Sequence, residues 1–355
     1  MLQPALNIDE LTAFLERWAG GPVGGISQFS NGQISSVFAF EVKGDFRAVL
    51  RDADPRATNG RYVVRFVPVE HGEGLKKDRF FAPRAAAVGV PVPRVVAYGE
   101  LRMMVANMND EDRASNGDGA FPLAYSICDR MPGEHIGDLQ DKDRRHLLPA
   151  VVETIDRISA IDISDSTGYG WSDSEGNAKH ASWLSYIVAE SFPEDGGSFY
   201  ERRRDWFTEG FLEFDVFRHF SDQMMSIASG LPEVDRSVTH NDFGYDNVLV
   251  VGSEVSAVLD WDNSIIGDHL YDGAWNDVYA SEPDYKRLFA EQYEKTGRDV
   301  PSFDDRWRVC QLHVVLQTLG WYGRSHNEAA YHWMKDRMKH LLGEGSAVGR
   351  HPGAP

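Results

Sequence analysis

Val238-Thr239-His240-Asn241-Asp242-Phe243-Gly244-Tyr245-Asp246-Asn247-Val248-Leu249 is the stretch on which the reading of this chain turns. It places a carboxylate, Asp242, five residues before an amide, Asn247, in a polar loop that runs on into an apolar strand. Gly252-Ser253 turns that strand back, and its partner, predicted over Val255–Asp260, ends in Val258-Leu259-Asp260-Trp261. A hairpin brings its two ends together, so the pattern predicts that Asn247 and Asp260 face a common point. Phosphoryl transfer calls for this set of groups. One carboxylate must orient the attacking hydroxyl and accept its proton, which suits Asp242 as the catalytic residue. A second carboxylate and an amide are hard oxygen ligands for Mg²⁺, which suits Asp260 and Asn247. His240, two residues before the base, is expected to support the loop backbone.

Asp, Asn and Gly are also the ordinary formers of turns. Against that plain reading stand the coincident spacing from His240 to Asn247, the apolar hairpin and the terminal Asp260. A metal-dependent phosphohydrolase would need further His or Asp ligands close by, to which Asp268 and His269 could contribute.

Outward from this centre, the chain of 355 residues suits two lobes better than one hydrophobic core. With 55 acidic residues against 36 Lys and Arg, the formal charge of −19 argues against nucleic acid and anionic membranes as partners. The same surface could attract a cationic small molecule. No run approaches the roughly 18–20 uncharged apolar residues of a membrane helix, and Met1-Leu2-Gln3-Pro4 opens no secretory signal. Cys128 and Cys310 are the two cysteines, each in apolar surroundings, as expected of buried free thiols in a reducing cytoplasm. A cytoplasmic protein with no obligate protein partner is the expectation.

Leu11, Phe14, Leu15 and Trp18 predict an opening helix, with Asn7 as its N-cap and Gly20-Gly21 as its stop. Short strands are predicted next, at Ile26–Phe29, Val37–Val42, Phe46–Leu50, Tyr62–Val67, Val95–Tyr98, Arg102–Val105 and Leu123–Met131. One helix, Leu75–Val88, interrupts them, and residues 107–120 read as an exposed loop. After Gly133 the pattern turns helical: Leu147, Val151, Ile155, Ile158 and Ile161 keep one apolar stripe. Further helices are predicted near 181–191, 205–229, 270–280, 284–296, 304–322 and 328–342. The predicted class is α+β and bilobal, a small antiparallel β-sheet N-lobe and a larger, mainly helical C-lobe. The boundaries fall at 1–131 for the N-lobe, 132–343 for the C-lobe with the catalytic loop and acceptor site, and 344–355 for a flexible tail.

His240–Asn247, Leu259-Asp260-Trp261 and Gly267-Asp268 together resemble the catalytic region of the aminoglycoside phosphotransferase family, within the protein-kinase-like fold. Tyr62-Val63-Val64-Arg65, Lys77-Asp78-Arg79, Pro91-Val92-Pro93 and Thr167-Gly168-Tyr169-Gly170 extend the resemblance over roughly residues 29–330. It implies ATP and Mg²⁺ as cofactors, a nucleotide site between the lobes, and a small hydroxylated acceptor such as an aminocyclitol antibiotic of the hygromycin type. Another natural product, for example a nucleoside antibiotic, or a metabolite would serve the same chemistry. Ser30–Ser36 is the candidate phosphate-covering loop, with Ser35 and Ser36 as nucleotide-binding residues. The strand lysine of the family is replaced by Arg65, with Arg51 as rival and Asp78 as the implied ion-pair partner. That replacement motivates an alternative of another class, an inactive nucleotide-binding module. Backbone groups near Arg130 and Met131 would read the base edge, with Met103 or Ile127 on its face. On the acceptor side the resemblance implies Asp242, Asp262, Asp268 and Trp275 as substrate-binding residues, with Asp272, Trp321 and Tyr322 also near. For Asp268 the alternative is a structural role, holding the catalytic loop.

Overall fold

The computed structural model describes residues 3–29, 35–43, 60–107, 120–191, 207–208, 210–244, 246–280, 284–349 and 351–352. The predicted strand at Phe46–Leu50, the rival Arg51 and Ser30–Ile34 of the phosphate-loop candidate lie outside them. The chain divides into two compact units, the smaller comprising Met1–Ala86, Pro91–Pro132 and Leu259–Asp262, the larger the remainder.

In the smaller unit, helix α1 (Ile8–Ala19) starts where Asn7 accepts hydrogen bonds from the backbone of Asp9 and Glu10. It stops at Gly20, whose φ of 68° is left-handed, as the sequence predicts. Five antiparallel strands follow: β1 (Val23–Phe29), β2 (Ser36–Val42), β3 (Arg61–Pro68), β4 (Val95–Met104) and β5 (Ala120–Asp129). Their order in the sheet is β1-β2-β3-β5-β4. The two-residue side-chain period sorts the sheet into two faces. Phe38, Phe40, Tyr62, Val64, Phe66, Leu123 and Ile127 form one core with Leu11, Leu15 and Ala19 of α1. The fully buried aromatics in it each contribute on the order of 1.5–3 kcal/mol. The opposite face carries Arg65, flanked across the ladder by Val37 of β2 and Ser126 of β5.

Two predicted strands, Val95–Tyr98 and Arg102–Val105, are one continuous strand, β4. Gly99, in the gap between those two predictions, is required there by close approach: a Cβ at this position would lie 2.9 Å from the Tyr125 ring. Helix α2 (Glu73–Ala87) connects β3 to β4.

The larger unit is mainly helical. It contains α3 (Asp141–Ile158), α4 (Trp183–Ser191), α5 (Phe214–Ala228), α6 (Tyr271–Tyr279), α7 (Tyr285–Thr296), α8 (Phe303–Arg324) and α9 (Glu328–Leu341). Helix α8 packs against α5, α6 and α9 and is buried along most of its 22 residues. The predicted stripe on α3 holds: Leu147, Val151, Ile155 and Ile158 are all buried. Two small antiparallel sheets complete the unit. One has the order β10-β9-β6, with β6 at Glu134–His135, β9 at Val248–Val251 and β10 at Glu254–Val258. The other has the order β7-β11-β8, with β7 at Gly170–Trp171, β8 at Ser237–Thr239 and β11 at Ile265–Gly267. Together these elements make an α+β protein.

The β9–β10 hairpin closes with the pair Val248↔Val258. The strand predicted to run on to Asp260 therefore ends two residues early, because Asp260 adopts a left-handed φ of 60°. The tail is also less bare than its composition implies: Trp333 Nε1 donates to the Gly349 carbonyl at 2.7 Å, and the Tyr322 hydroxyl lies 2.7 Å from His351 Nε2.

Candidate active site

The loop from His240 to Asn247 leaves β8 inside the larger unit. Its first two amides are held by one side chain: Asp272 of α6 accepts from His240 N and Asn241 N, each at 2.7 Å. Asn241 sits at a left-handed φ of 59°, a conformation asparagine tolerates better than most residues. Its Nδ2 donates to the Asn263 carbonyl at 3.0 Å. The strained residue is thus held from both sides. His240 is fully buried, its ring edge-on to Phe243 at 6.0 Å. Asn263 Nδ2 donates to Asp242 Oδ2 at 3.1 Å, which orients the carboxylate. Asn247 Nδ2 donates to the Asp242 carbonyl at 3.0 Å, so its Oδ1 points the other way along the amide. Asn276 Nδ2 bonds the Phe243 carbonyl at 3.2 Å, and the Trp275 ring packs so closely on Gly244 that a Cβ there would meet it at 3.0 Å.

Burial pushes the Asp272 carboxyl up to about 6, against the pull of the two amides it accepts. Asp272, expected on the acceptor side, is instead a clamp, only 1% exposed. Asp268 needs the same correction. It is buried, Arg306 grips it through Nε at 2.8 Å and Nη2 at 2.7 Å, and it accepts from Leu270 N at 3.0 Å. An acceptor would have to break a bidentate buried ion pair to reach it. Nor does Asp268 bond the loop amides directly; Asp272 does, four residues on. The acid–acid spacing was visible in sequence, but nothing in it ranked one aspartate over the other.

The smaller unit holds a second cluster, all charged. Arg65 Nη1 lies 3.1 Å from Asp260 Oδ1 and 3.7 Å from Asp78 Oδ2. Burial opposes the guanidinium charge, but Asp260 and Asp78 outweigh it, and the pKa is raised. Burial pushes the Asp78 carboxyl up to about 6, although Arg65 pulls it down. Asp78 Oδ1 also accepts from Trp261 N at 3.0 Å, tying α2 to the segment that carries Asp260. The implied Arg65–Asp78 neighbours are therefore brought together, and Asp260 joins them. Lys77, which sequence reasoning passed over, is 6% exposed and donates to the Asp262 carbonyl at 2.6 Å. Burial and the nearby Asp260 raise the Asp262 pKa, against Lys77. Its carboxylate fits only because residue 74 is glycine: a Cβ there would lie 2.5 Å from Asp262 Cγ. Asp262, expected with the acceptor residues, groups instead with Asp260 and Lys77.

Three nucleotide-side expectations change. Ser36 is fully buried, and its hydroxyl donates to the Pro4 carbonyl, so it is spent on the fold. The Ser35 carbonyl accepts from Gln3 Nε2 at 3.2 Å. Met103 and Ile127 lie in the core packed on α1, on the wrong face of the sheet for a ligand beside Arg65. The residues sharing Arg65's face include Val37, Ala39, Val63, Ser126 and Cys128. Burial and the nearby Asp78 push the Cys128 thiol up to about 12. Arg130 N bonds the Arg61 carbonyl at 3.1 Å, continuing the β3–β5 ladder, while its guanidinium lies 5.8 Å from the Phe29 ring. Met131, next along, is half-buried.

Among the described residues, no group of three or more His, Cys, Asp and Glu side chains is placed to hold a metal ion. Asp268 and His269, the extra ligands a phosphohydrolase could use, are taken by Arg306, whose Nη2 also lies 3.2 Å from His269 Nδ1. No helix of the described residues is long and apolar enough to cross a membrane.

The model of the phosphotransferase enzyme family APH matches residues 25–303. The chain belongs to this family. As a member of the APH family it is a phosphotransferase with an alcohol group as acceptor. It is similar to the hygromycin-B 4-O-kinase of Escherichia coli, 27% identical over 326 residues, or 90% of this chain and 80% of that protein. Its fold resembles the crystal structure of aminoglycoside phosphotransferase APH(4)-Ia, with a TM-score of 0.70, 23% identity, and 96% and 100% of the two chains covered. A thermostable mutant of that protein, in ternary complex with ADP and hygromycin B, matches with a TM-score of 0.69 at 24% identity over 96% of this chain and all of that one. The APH kinase-like fold is thus the fold of this protein.

Proposed function

We propose that this APH-family protein transfers the γ-phosphate of ATP to a hydroxyl of an aminoglycoside-type antibiotic of the hygromycin B kind, with Mg²⁺ as cofactor. The observation that carries the reading is the Asp242 carboxylate on a loop held at both ends, by Asp272 at its start and by the Asn247–Asp242 bond at its close. A general base is most effective when its position is fixed before the substrate arrives. In the reaction, Asp242 accepts the proton of the acceptor hydroxyl, the acceptor oxygen forms a bond to the γ-phosphorus, and the bond from that phosphorus to the β-phosphate oxygen breaks, releasing ADP. Asn263 keeps the carboxylate oriented through its hydrogen bond to Oδ2.

By their chemistry the residues suit Mg²⁺: the amide oxygen of Asn247, left by the commitment of Nδ2, and the part-exposed carboxylate of Asp260 are each the kind of hard oxygen ligand that ion takes. Held by such ligands, the ion would neutralise charge on the transferring phosphate. Arg65, held among Asp260 and Asp78, would contact phosphate as the family's lysine does, its planar fork replacing a point charge. Its Nε is buried and has no hydrogen-bond partner among the described residues, which supports a role toward a ligand. Asp242 and Trp275, close to each other at the loop, are the acceptor-side residues the geometry supports. The hygromycin-B 4-O-kinase relative supports the choice of acceptor.

The test is to incubate the purified protein with ATP, Mg²⁺ and hygromycin B, and to follow ADP release and the mass of the product. One added phosphoryl group per antibiotic is the expected result. Turnover of a nucleoside antibiotic or a metabolite in place of hygromycin B would overturn the acceptor assignment. ATP binding with no turnover of any acceptor would favour the inactive module that Arg65 motivates.

A further inference from the structure

The expected flexible tail is built into the larger unit at three points. His219 Nε2 lies 2.8 Å from Glu344 Oε2, Trp333 Nε1 holds the Gly349 carbonyl, and His351 Nε2 meets the Tyr322 hydroxyl, the last two both at 2.7 Å. The His351 ring is surrounded by aromatics, with centroids 4.7 Å from Trp333 and 5.8 Å from both Tyr322 and Tyr279. Tyr279 continues the row inward. Its ring packs, tilted, against Trp275 with centroids 4.4 Å apart, and its hydroxyl lies 3.2 Å from Thr318 Oγ1. Trp275 in turn packs on Gly244, two residues beyond Asp242. An unbroken row of contacting side chains therefore runs from the loop that carries the base to the end of the described chain.

We propose that this row is a wall of the acceptor site, and that His351 sets acceptor affinity by locking Tyr322 and Tyr279 behind Trp275. The inference rests on the reading of Asp242 as the base. An acceptor hydroxyl at Asp242 belongs to a molecule that must extend over the neighbouring surface, and within this unit Trp275 is an aromatic side chain packed on the loop. Aromatic faces suit the C–H faces of saccharide and cyclitol rings, and their electron-rich faces suit ammonium groups on such rings. His351 is a positioning residue here. It fixes two tyrosines whose places decide how closely a ring can approach.

The experiment compares His351→Ala, His351→Gln and Trp333→Phe with the unmodified protein, using hygromycin B as the probe, or the best substrate of an aminoglycoside panel if hygromycin B is not turned over. We expect His351→Ala to raise the acceptor KM about tenfold, with kcat and the KM for ATP each within about twofold, the signature of lost acceptor binding. His351→Gln, which keeps a hydrogen-bonding side chain for Tyr322, should recover part of the loss, and Trp333→Phe should show a smaller rise. An unchanged acceptor KM in His351→Ala would overturn the proposal. So would a rise that comes only with an equal rise in the KM for ATP and a fall in Tm, because the tail would then be no more than a staple. Failure of the underlying reading shows elsewhere: a fully active Asp242→Asn enzyme would overturn the base assignment and this proposal with it, whereas an inactive one with an unchanged acceptor KM in His351→Ala overturns this proposal alone.

Discussion

The two clusters of functional side chains are built on opposite principles. In the larger unit the His240–Asn247 loop is held by amides and one buried carboxylate: Asp272 on two backbone N–H groups, Asn247 on a carbonyl, and Asn263 on Asp242. In the smaller unit Arg65, Asp78 and Asp260 are held by one another's charge at 3.1–3.7 Å, with no backbone anchor on the guanidinium among the described contacts. Backbone hydrogen bonds are short-ranged and directional, so they fix a geometry. Charge pairs tolerate exchange of partner, because an incoming phosphate or cation can take the place of either member. On the proposed function, the contrast gives rigidity to the part that would do proton chemistry and exchangeability to the part that would meet a polyanion.

The largest effect that would break this division is at the base itself. Asp242→Asn should reduce turnover on the order of 10²-fold or more while nucleotide affinity stays nearly intact. Steady-state kinetics set against calorimetric ATP binding check it, and a fully active variant would sink the assignment. Next is the clamp. Asp272→Ala leaves two buried N–H groups without an acceptor, and we expect a loss of about 2–4 kcal/mol of stability by urea unfolding. Activity should fall with it, since the loop loses its anchor; an unaffected enzyme would mean the loop is rigid for another reason.

Asp260→Ala tests the other side. The thermal shift produced by ATP with Mg²⁺ should shrink to about 1 °C or less, while the free protein should lose less stability than in Asp272→Ala, because Arg65 keeps Asp78 as a partner. The smallest effect is the pH dependence contributed by one buried histidine of the larger unit. Burial holds His313 neutral, its pKa lowered from the ordinary 6.5 to about 3. The unfolded chain therefore binds a proton that the folded one does not between those values. The His313 contribution to stability is full above about pH 6.5 and falls by about 1.4 kcal/mol per unit as pH drops below it. His313→Phe should flatten that slope in urea midpoints measured between pH 5 and pH 7, and an unchanged slope would place the titrating group elsewhere.

Much of this arrangement was legible in the residues. The apolar stripe on α3, the cap at Asn7 and the β9–β10 hairpin follow from local periodicity and turn chemistry, which are properties of neighbouring residues. The Asp242–Asn247 spacing was legible for the same reason. What escaped depends on distant partners. Strands β7, β8 and β11 are two or three residues long, too short for alternation to show, and exist because they pair with each other. Whether Asp268 or Asp272 holds the loop depends on Arg306, some 38 residues from the first. Ser36 looked like a phosphate ligand because its buried partner, Pro4, lies 32 residues away. Met103 and Ile127 were misplaced by face, which is set by sheet register and by the helix covering it.

Four residues, Leu259–Asp262, belong with the smaller unit, although the chain on either side of them belongs to the larger. The polypeptide passes between the units after residues 86, 90, 132, 258 and 262. A gene fragment ending at residue 132 would thus encode Arg65 and Asp78 without the aspartate that pairs with both the arginine and, by proposal, the metal. Neither unit is one continuous stretch of chain, and recombination between relatives would have to exchange the short excursion together with the helix and the arginine it contacts.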